Sequence, residues 1–228
     1  MKTWVISDIH SNIEALIAAS KEFSDGNIYC IGDLVGYGAS PNEVIEWVRD
    51  NNISCLMGNH DYAVVNGDMD WFNHSAQRVI SWTRSILSKD NLEYLRKLLP
   101  QLRTMINNSK TLLVHGSPED PLYEYVHPST HELIFDYYIE KYGVDIIATG
   151  HTHIPFLWKS EKGIVMNPGS IGQPRSHTSK SSYAVITTGN KEIKVEHRLV
   201  KYDVLKAAKK INDAGLPESL ANRLIQGI

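Results

Sequence analysis

The sequence predicts an α/β protein that is built around a mixed β-sheet, and two observations support this. First, short apolar runs alternate with a segment of helical periodicity: Thr3–Ser7 and Ile28–Ile31 are typical of buried strands, and Ile13–Ala19 between them of a helix. Second, the apolar segments Gln101–Ile106 and Lys110–Val114 flank a short polar turn, which favours an antiparallel hairpin. We therefore expect parallel and antiparallel strands, with helices covering the sheet.

The other elements follow from the same periodicities. Ser11 or Asn12 can cap the first helix, and Ser40 precedes a helix whose first turn contains a proline. Pro100 ends a long helical stretch that we interpret as two helices. Further helices are predicted at Pro41–Asp50, Asn73–Leu99, Thr130–Tyr142 and after Asp203, and further strands, joined by glycine and asparagine turns, at Ile53–Met57, Val144–Thr149, Ile154–Lys159, Gly163–Met166, Ser182–Thr187 and Glu192–Leu199.

The chain of 228 residues is predicted to form one domain over residues 1–228, because it contains no repeat, low-complexity stretch or linker. Its content of 42% hydrophobic and 21% charged residues is that of a globular protein with a buried core. The amphipathic segments at about 203–228 could pack on the domain or on a partner, and the sequence leaves both readings open.

The charge balance bears on the choice of partners. Twenty-three basic and 26 acidic side chains give a net charge of −3 without a long run of one sign, so neither nucleic acid nor a membrane is an expected partner. The N-terminus does not resemble a signal peptide, no apolar run is long enough to span a bilayer, and we expect a cytoplasmic protein. Cys30 and Cys55 are expected to be reduced thiols in core strands.

Polar residues cluster directly after the predicted strands, where open α/β sheets bind their ligands. Asp8 and His10 are expected to share a face, since residues two apart in an extended chain point the same way. The neighbouring glycines are expected to make room where the loops converge. One histidine at a strand end is usually structural, but five blocks together indicate a single site: Asp8-Ile9-His10, Gly32-Asp33, Gly58-Asn59-His60-Asp61, His115-Gly116 and Gly150-His151-Thr152-His153.

The composition of these blocks predicts a metal centre. Imidazole and carboxylate ligands without thiolates suit Mn²⁺, Fe²⁺, Co²⁺, Ni²⁺ or Zn²⁺, and we favour Mn²⁺. Seven ligands are too many for one tetrahedral ion, but they can serve two divalent ions per chain if one carboxylate bridges the pair. The candidate ligands are Asp8, His10, Asp33, Asn59, His115, His151 and His153, and His60 is left over.

The same blocks, with Leu34-Val35 after Asp33 and with the later Asn167-Pro168-Gly169-Ser170, resemble the calcineurin-like metallophosphoesterase superfamily. The compact length is similar to that of its small bacterial and archaeal phosphodiesterase-like branch. The resemblance implies a four-layer α/β/β/α sandwich of two mixed sheets with a dinuclear metal site at the strand ends. It also implies a ligand assignment in which Asp33 bridges the two ions: Asp8, His10, Asp33 and His153 for one ion, and Asp33, Asn59, His115 and His151 for the other.

The expected reaction is hydrolysis of a small phosphodiester, nucleotide or phosphomonoester by a hydroxide that bridges the two ions. His60 has no metal to bind in this assignment, so we expect it to act at the leaving oxygen as a general acid or a hydrogen-bond donor. Asp61, its neighbour in the sequence, is expected to fix the tautomer of His60.

Five loop residues could reach a bound substrate: Asn12, Tyr37, His74, Arg175 and His177. The guanidinium of Arg175 matches a pair of phosphate oxygens, although a solvated loop arginine fits the sequence equally well. Tyr37 could stack on a base or simply cover its loop.

Two other functions use the same residues. A nuclease could work with the same two ions, but the chain lacks a basic stripe for long nucleic acids. A non-catalytic scaffold is the second, since the resembled family includes a retromer subunit that keeps the fold and lacks the catalytic histidine, whereas His60 is present here. Neither the natural substrate nor the choice between monomer and homodimer follows from the sequence.

Overall fold

The computed structural model describes residues 2–189 and 192–228 and contains two five-stranded sheets. The strands are β1 (Lys2–Ile6), β2 (Asn27–Cys30), β3 (Ser54–Cys55), β4 (Gln101–Ile106), β5 (Ser109–Val114), β6 (Ile146–Ala148), β7 (Phe156–Lys159), β8 (Ile164–Asn167), β9 (Ser181–Gly189) and β10 (Glu192–Val200). The helices are α1 (Ile13–Ser20), α2 (Pro41–Asp50), α3 (Asn59–Asn66), α4 (His74–Ile86), α5 (Lys89–Arg96), α6 (Glu132–Tyr142), α7 (Val204–Asp213) and α8 (Glu218–Gln226).

Both sheets are mixed, as predicted. The first has the order β10-β9-β1-β2-β3, in which β1 runs parallel to β2 and antiparallel to β9. The second has the order β4-β5-β6-β8-β7, and its β4–β5 pair is the predicted hairpin. The last predicted turn lies at residues 190–191, outside the described residues. The ends of the other predicted helices and strands lie close to those in the structure.

The core has three parts because both faces of both sheets are covered. Along β1, Val5 points between the sheets, while Trp4 and Ile6 point toward the helices of the first sheet, as the alternation of a strand requires. On the outer face of the second sheet, Phe135 and Ile139 of α6 pack in the third part of the core. The layers are therefore α/β/β/α, which confirms the expected fold class.

Helices α7 and α8 contribute to the core on the outer side of the first sheet. Ala207, Ile211, Leu220 and Leu224 are buried there with residues of α1. Asp203 caps α7 by accepting a hydrogen bond from the backbone N–H of Lys206. Within the described residues, none of the helices is both long and apolar enough to cross a bilayer.

Helix α3 was not predicted, and it positions part of the site. The strand predicted at Ile53–Met57 is shorter in the structure, and the chain enters α3 directly after Gly58. The first turn of α3 is polar and lacks apolar residues at helical spacing, so no helix was predicted here. Its start is stabilised by Asp61, whose side chain accepts a hydrogen bond from the Gly58 N–H at 3.0 Å.

Candidate metal centre

The seven predicted ligands all lie at the carboxyl ends of strands, and all are buried. Two follow β1, one follows β2, and one opens α3 just beyond β3. The remaining three follow β5 and β6 of the second sheet. The site therefore joins both sheets at one end of the sandwich, and its candidate ligands are Asp8, His10, Asp33, Asn59, His115, His151 and His153.

Left-handed backbone turns bring these side chains together. We predicted that Asp8 and His10 share a face of an extended chain, and this was wrong, because β1 ends at Ile6 and both residues have positive φ angles of 53° and 48°. Asp33 and His151 are similar, at 54° and 65°. Non-glycine residues rarely adopt this conformation, and each costs on the order of 1–3 kcal/mol. The loops are thus strained where the ligands converge.

The glycines next to the ligands are needed for close packing, as predicted. A Cβ on Gly32 would lie 2.6 Å from Nδ1 of His115, and the φ angle of Gly32 is +111°. A Cβ on Gly58 would collide with the side chain and backbone of Asp33. Any larger residue at either position would push a ligand away from the cluster.

The ligands form two groups that meet at Asp33. In one, Nε2 of His153 lies 3.2 Å from Oδ1 of Asp8 and 3.1 Å from Nε2 of His10. In the other, Nε2 of His115 lies 3.4 Å from Oδ2 of Asp33, and His151 offers a further nitrogen. Oδ2 of Asp33 also lies 3.6 Å from Nε2 of His10, so this one oxygen faces both groups.

The unpaired carboxylate oxygens of the cluster fit a cation. Oδ1 of Asp8 and Oδ2 of Asp33 are buried without a hydrogen-bond partner among the described residues. Leaving such groups unpaired is costly, and buried carboxylates normally pair with a cation or coordinate a metal. Imidazole nitrogens surround these carboxylate oxygens, which is a donor set typical of divalent transition metals.

Backbone carbonyls orient the imidazole rings. Nδ1 of His10 donates to the carbonyl of Val35 at 3.1 Å, and Nδ1 of His115 donates to that of Ile31 at 3.0 Å. Since a carbonyl only accepts, these bonds keep a proton on Nδ1 and turn Nε2 of each ring toward the cluster, where Nε2 of His115 lies 3.0 Å from Oδ1 of Asn59. His151 is reversed, because its Nε2 lies 3.2 Å from the carbonyl of Tyr123 and its Nδ1 is left for the cluster.

The cluster also shifts the pKa values of its members. Burial raises the pKa of Asp33, but the imidazoles of His115 and His60 outweigh it and hold the pKa well below its usual value. Burial lowers the pKa of His115, yet the carboxylate of Asp33 raises it to about 9. The pKa of His151 falls to about 3 and that of His153 to about 4, mainly because of burial.

His60 lies beside the cluster, next to two aromatic rings. Its ring centroid is 4.5 Å from that of Tyr37 and 4.8 Å from that of Phe72. Its Nδ1 is buried without a hydrogen-bond partner, and the residue is 3% exposed. A nitrogen of His60 also lies within 4.8 Å of ligand atoms of His10 and Asp33. Burial lowers the pKa of His60 well below its usual value, so the imidazole is neutral at neutral pH.

Asp61 does not contact the His60 ring, and the prediction that it fixes the His60 tautomer was wrong. Its carboxylate accepts hydrogen bonds from the backbone N–H groups of Leu34, Val35 and Gly58 at 3.0–3.2 Å. Successive side chains of a helix point in different directions, so neighbours in sequence do not face each other. Through these hydrogen bonds, Asp61 instead links the loop after Asp33 to the start of α3. Burial and the charge of Asp33 raise its pKa to about 7.

Three of the five predicted substrate residues are not brought to the cluster. Asn12 caps α1, with its side chain accepting from the Ala15 N–H and donating to the carbonyl of Gly172. His74 is exposed at the start of α4, and His177 is exposed in a loop. Neither imidazole has a hydrogen bond to the cluster within the described part of the chain, so these predictions are not supported.

Tyr37 and Arg175 do lie at the cluster. The Tyr37 ring packs 4.6 Å from His10, between centroids, and its hydroxyl lies 3.5 Å from Nη2 of Arg175. Tyr37 is buried and Arg175 half-buried, so the guanidinium lies on the solvent side of the ring's contact with the cluster.

The sequence analysis missed three residues next to the cluster, Trp71, Tyr125 and Arg223, which we call the rim of the site. Tyr125 stacks on His151 with ring centroids 4.0 Å apart and planes at 14°. Trp71 lies 5.5 Å from His151 and is 48% exposed. Arg223, which α8 supplies, has Cζ 5.9 Å from the Tyr37 ring centroid. None of these three residues lies in a recognisable motif. In the sequence, only the closeness of Trp71 to the Gly58 block could have indicated that it borders the site.

Comparison with known proteins agrees with this geometry. A profile described as the calcineurin-like phosphoesterase superfamily domain matches residues 1–191. An uncharacterized protein of Methanocaldococcus jannaschii is 38% identical over 243 aligned positions, which cover 98% of this chain and 97% of that protein. The crystal structure of a metallophosphoesterase from Sphaerobacter thermophilus has a TM-score of 0.85 at 31% identity, covering 100% of this chain and 99% of that one. A hypothetical protein from Pyrococcus horikoshii shares the fold, with a TM-score of 0.90 at 23% identity and coverage of 100% and 98%.

The chain therefore belongs to the calcineurin-like phosphoesterase superfamily, and its fold is the metallophosphoesterase fold. The family implies divalent metal ions, which the clustered histidine and aspartate side chains fit.

Proposed function

We propose that the chain is a metal-dependent phosphoric ester hydrolase that acts on a small phosphodiester, nucleotide or phosphomonoester. The observation that carries this proposal is the position of Asp33, whose unpaired Oδ2 faces both ligand groups. One carboxylate oxygen shared between two groups is suited to bridging two cations, and the family supplies the reaction class.

Two divalent ions, with Mn²⁺ favoured, would be held as the family resemblance implies. Asp8, His10 and His153 would serve one ion, Asn59, His115 and His151 the other, and Asp33 both. When bound, such ions supply positive charge that polarises a phosphoryl oxygen and lowers the pKa of water.

The protein's own residues contribute a proton donor at the leaving oxygen. His60 is neutral, buried and held between Tyr37 and Phe72, so its ring has little freedom to turn away. A neutral imidazole retains one N–H group, which can donate a hydrogen bond to the oxygen on which charge develops. We assign His60 this role because packing fixes its ring and one of its nitrogens lies within 4.8 Å of ligand atoms of His10 and Asp33.

The rim favours a small substrate with a planar group. Trp71 and Tyr125 are 48% and 41% exposed, and their rings lie next to His151. Exposed aromatic rings are suitable surfaces for stacking a base. The net charge of −3 speaks against long nucleic acids. A cytoplasmic location and the lack of nucleic-acid and membrane partners stay predictions.

The test is a substrate and metal panel on the full chain. The protein is stripped with a chelator, reloaded with one divalent metal at a time, and assayed on phosphomonoesters, phosphodiesters and dinucleoside polyphosphates. We expect metal-dependent hydrolysis of at least one small ester, fastest with Mn²⁺. Processive cleavage of duplex nucleic acid would favour the nuclease instead. Inactivity on every ester with both metals bound would favour a scaffold.

A further inference from the structure

Two arginines from distant parts of the chain lie near the ring of one tyrosine beside the metal cluster. The guanidinium carbon of Arg175 lies 6.0 Å from the ring centroid of Tyr37, and that of Arg223 lies 5.9 Å from the same centroid. Arg175 belongs to the loop between β8 and β9, and Arg223 to α8. The fold therefore places two positive charges near the same ring.

Within residues 2–189 and 192–228, neither guanidinium forms an ion pair with an Asp or Glu side chain. Arg175 contacts Oε1 of Gln173 at 3.2 Å, and its Nε is buried with no hydrogen-bond partner. Arg223 donates from Nε to the backbone oxygen of Ile228 at 2.9 Å, and its guanidinium also lies beside the Tyr37 ring.

The two guanidinium groups also affect each other. Burial and the neighbouring charge of Arg175 lower the pKa of Arg223. Two half-buried cations side by side are unfavourable unless an anion lies between them, because the repulsion is poorly screened away from bulk water. Guanidinium groups match the oxygens of phosphate in a forked geometry.

Only one aromatic ring separates this pair from the metal cluster. Both guanidinium carbons lie within 6.0 Å of the Tyr37 ring centroid, which in turn lies 4.6 Å from that of His10 and 4.5 Å from that of His60. An anion held by the arginines and a phosphoryl group on the cluster can therefore belong to the same small molecule.

We propose that Arg175 and Arg223 form a second anion subsite, which takes the second phosphate of a substrate of the diphosphate class. This inference rests on the proposed function, and it narrows the substrates to nucleoside diphosphates, dinucleoside polyphosphates and related esters. Because Arg223 lies on α8, this helix would contribute to substrate specificity. The competing arrangement is that both arginines hold the phosphate that is hydrolysed.

The experiment compares two probes that the enzyme cannot hydrolyse. Inorganic phosphate and methylenediphosphonate are titrated calorimetrically into the Mn²⁺-loaded full chain, with the free Mn²⁺ concentration held equal by a metal buffer. The variants are Arg223→Ala, Arg223→Lys and, as a control, Arg96→Ala on exposed α5. Melting temperatures show whether each variant folds, and Arg223→Lys keeps the positive charge if Arg223→Ala is unstable.

We expect Arg223→Ala to weaken methylenediphosphonate binding about ten- to hundredfold and phosphate binding less than about twofold. Arg223→Lys should lie between wild type and Arg223→Ala, and Arg96→Ala should match wild type. Equal losses for both probes would overturn the proposal in favour of the single-phosphate arrangement, and no loss for either would overturn it outright. Because neither probe requires turnover, this result is independent of the esterase assay, whose failure would reject the proposed function alone.

Discussion

Oδ2 of Asp33 lies 3.4 Å from Nε2 of His115, and the two side chains shift each other's pKa in opposite directions. The carboxylate is held charged well below its usual pKa, and the imidazole keeps its proton up to about pH 9. A histidine that binds a metal must be neutral. A proton and a metal ion therefore compete for Nε2 of His115.

Metal binding at neutral pH should release about one proton from His115. Below a pKa of about 9 the imidazolium must deprotonate before it can bind, so metal affinity should rise with pH by up to about tenfold per unit and level off above about 9. His151 and His153 are already neutral, with pKa values of about 3 and 4. Calorimetry in buffers of different ionisation enthalpy measures the release, and identical heats in all buffers would contradict it.

Asp33→Asn should reduce the metal content of both positions, because one oxygen faces both ligand groups. We expect two Mn²⁺ per chain in the wild type and fewer than one in the variant, measured by metal analysis after equilibrium dialysis. Asp50→Asn, an exposed residue at the end of α2, is the matched control. If Asp33→Asn retained both ions, Asp33 would not be the bridge.

His60→Ala should lower kcat about 10²–10⁴-fold and leave the metal content unchanged, since His60 is assigned to the leaving oxygen. The deficit should be smaller for p-nitrophenyl esters, whose leaving group needs little protonation, than for alkyl esters. Steady-state kinetics on both ester types measures this, and His74→Ala, an exposed histidine, serves as the control. An equal loss on both esters would mean that His60 orients the phosphate.

Asp61→Ala should destabilise the metal-free protein, because three backbone N–H groups would lose their acceptor. Each unsatisfied buried donor costs about 1–3 kcal/mol, and each kcal/mol lowers the Tm of a chain of this size by about 2–4 °C. Asp61→Asn keeps one acceptor oxygen and should be less harmful. Calorimetric melting tests this, and a loss of kcat without a lower Tm would restore the tautomer role.

Trp71→Ala should raise KM for nucleotides about fivefold or more, as expected from the loss of a stacking surface worth about 1–3 kcal/mol. KM for an alkyl phosphate, which has no planar group, should stay within about twofold. Tyr137→Ala removes a comparably exposed ring, 49% against 48%, far along the chain on α6 and provides the control. Equal KM changes for both substrates would show that Trp71 only shields the cluster.

The convergence of the candidate metal ligands could be predicted from the sequence because each block follows an apolar run and contains a glycine or a polar partner two residues away. His10, His115 and His153 were found in this way. Asp61 was misassigned because neighbours in sequence were expected to be neighbours in space, whereas the start of a helix separates them. Arg223 was missed because a single arginine on an amphipathic helix is usually a solvated residue, and only the packing of α8 brings it to Tyr37.

The position of β1 between β2 and β9 affects how the chain folds. One edge of β1 pairs with residues about twenty positions away, Trp4 with Ile28, but the other edge pairs with Val185, near the far end of the sequence. Contacts between such distant segments close a large loop and slow the search for the native state. Until β9 arrives, the apolar strand Lys2–Ile6 has an open edge that can pair with another chain. Refolding at high protein concentration therefore carries an aggregation risk that begins in the first strand of the protein.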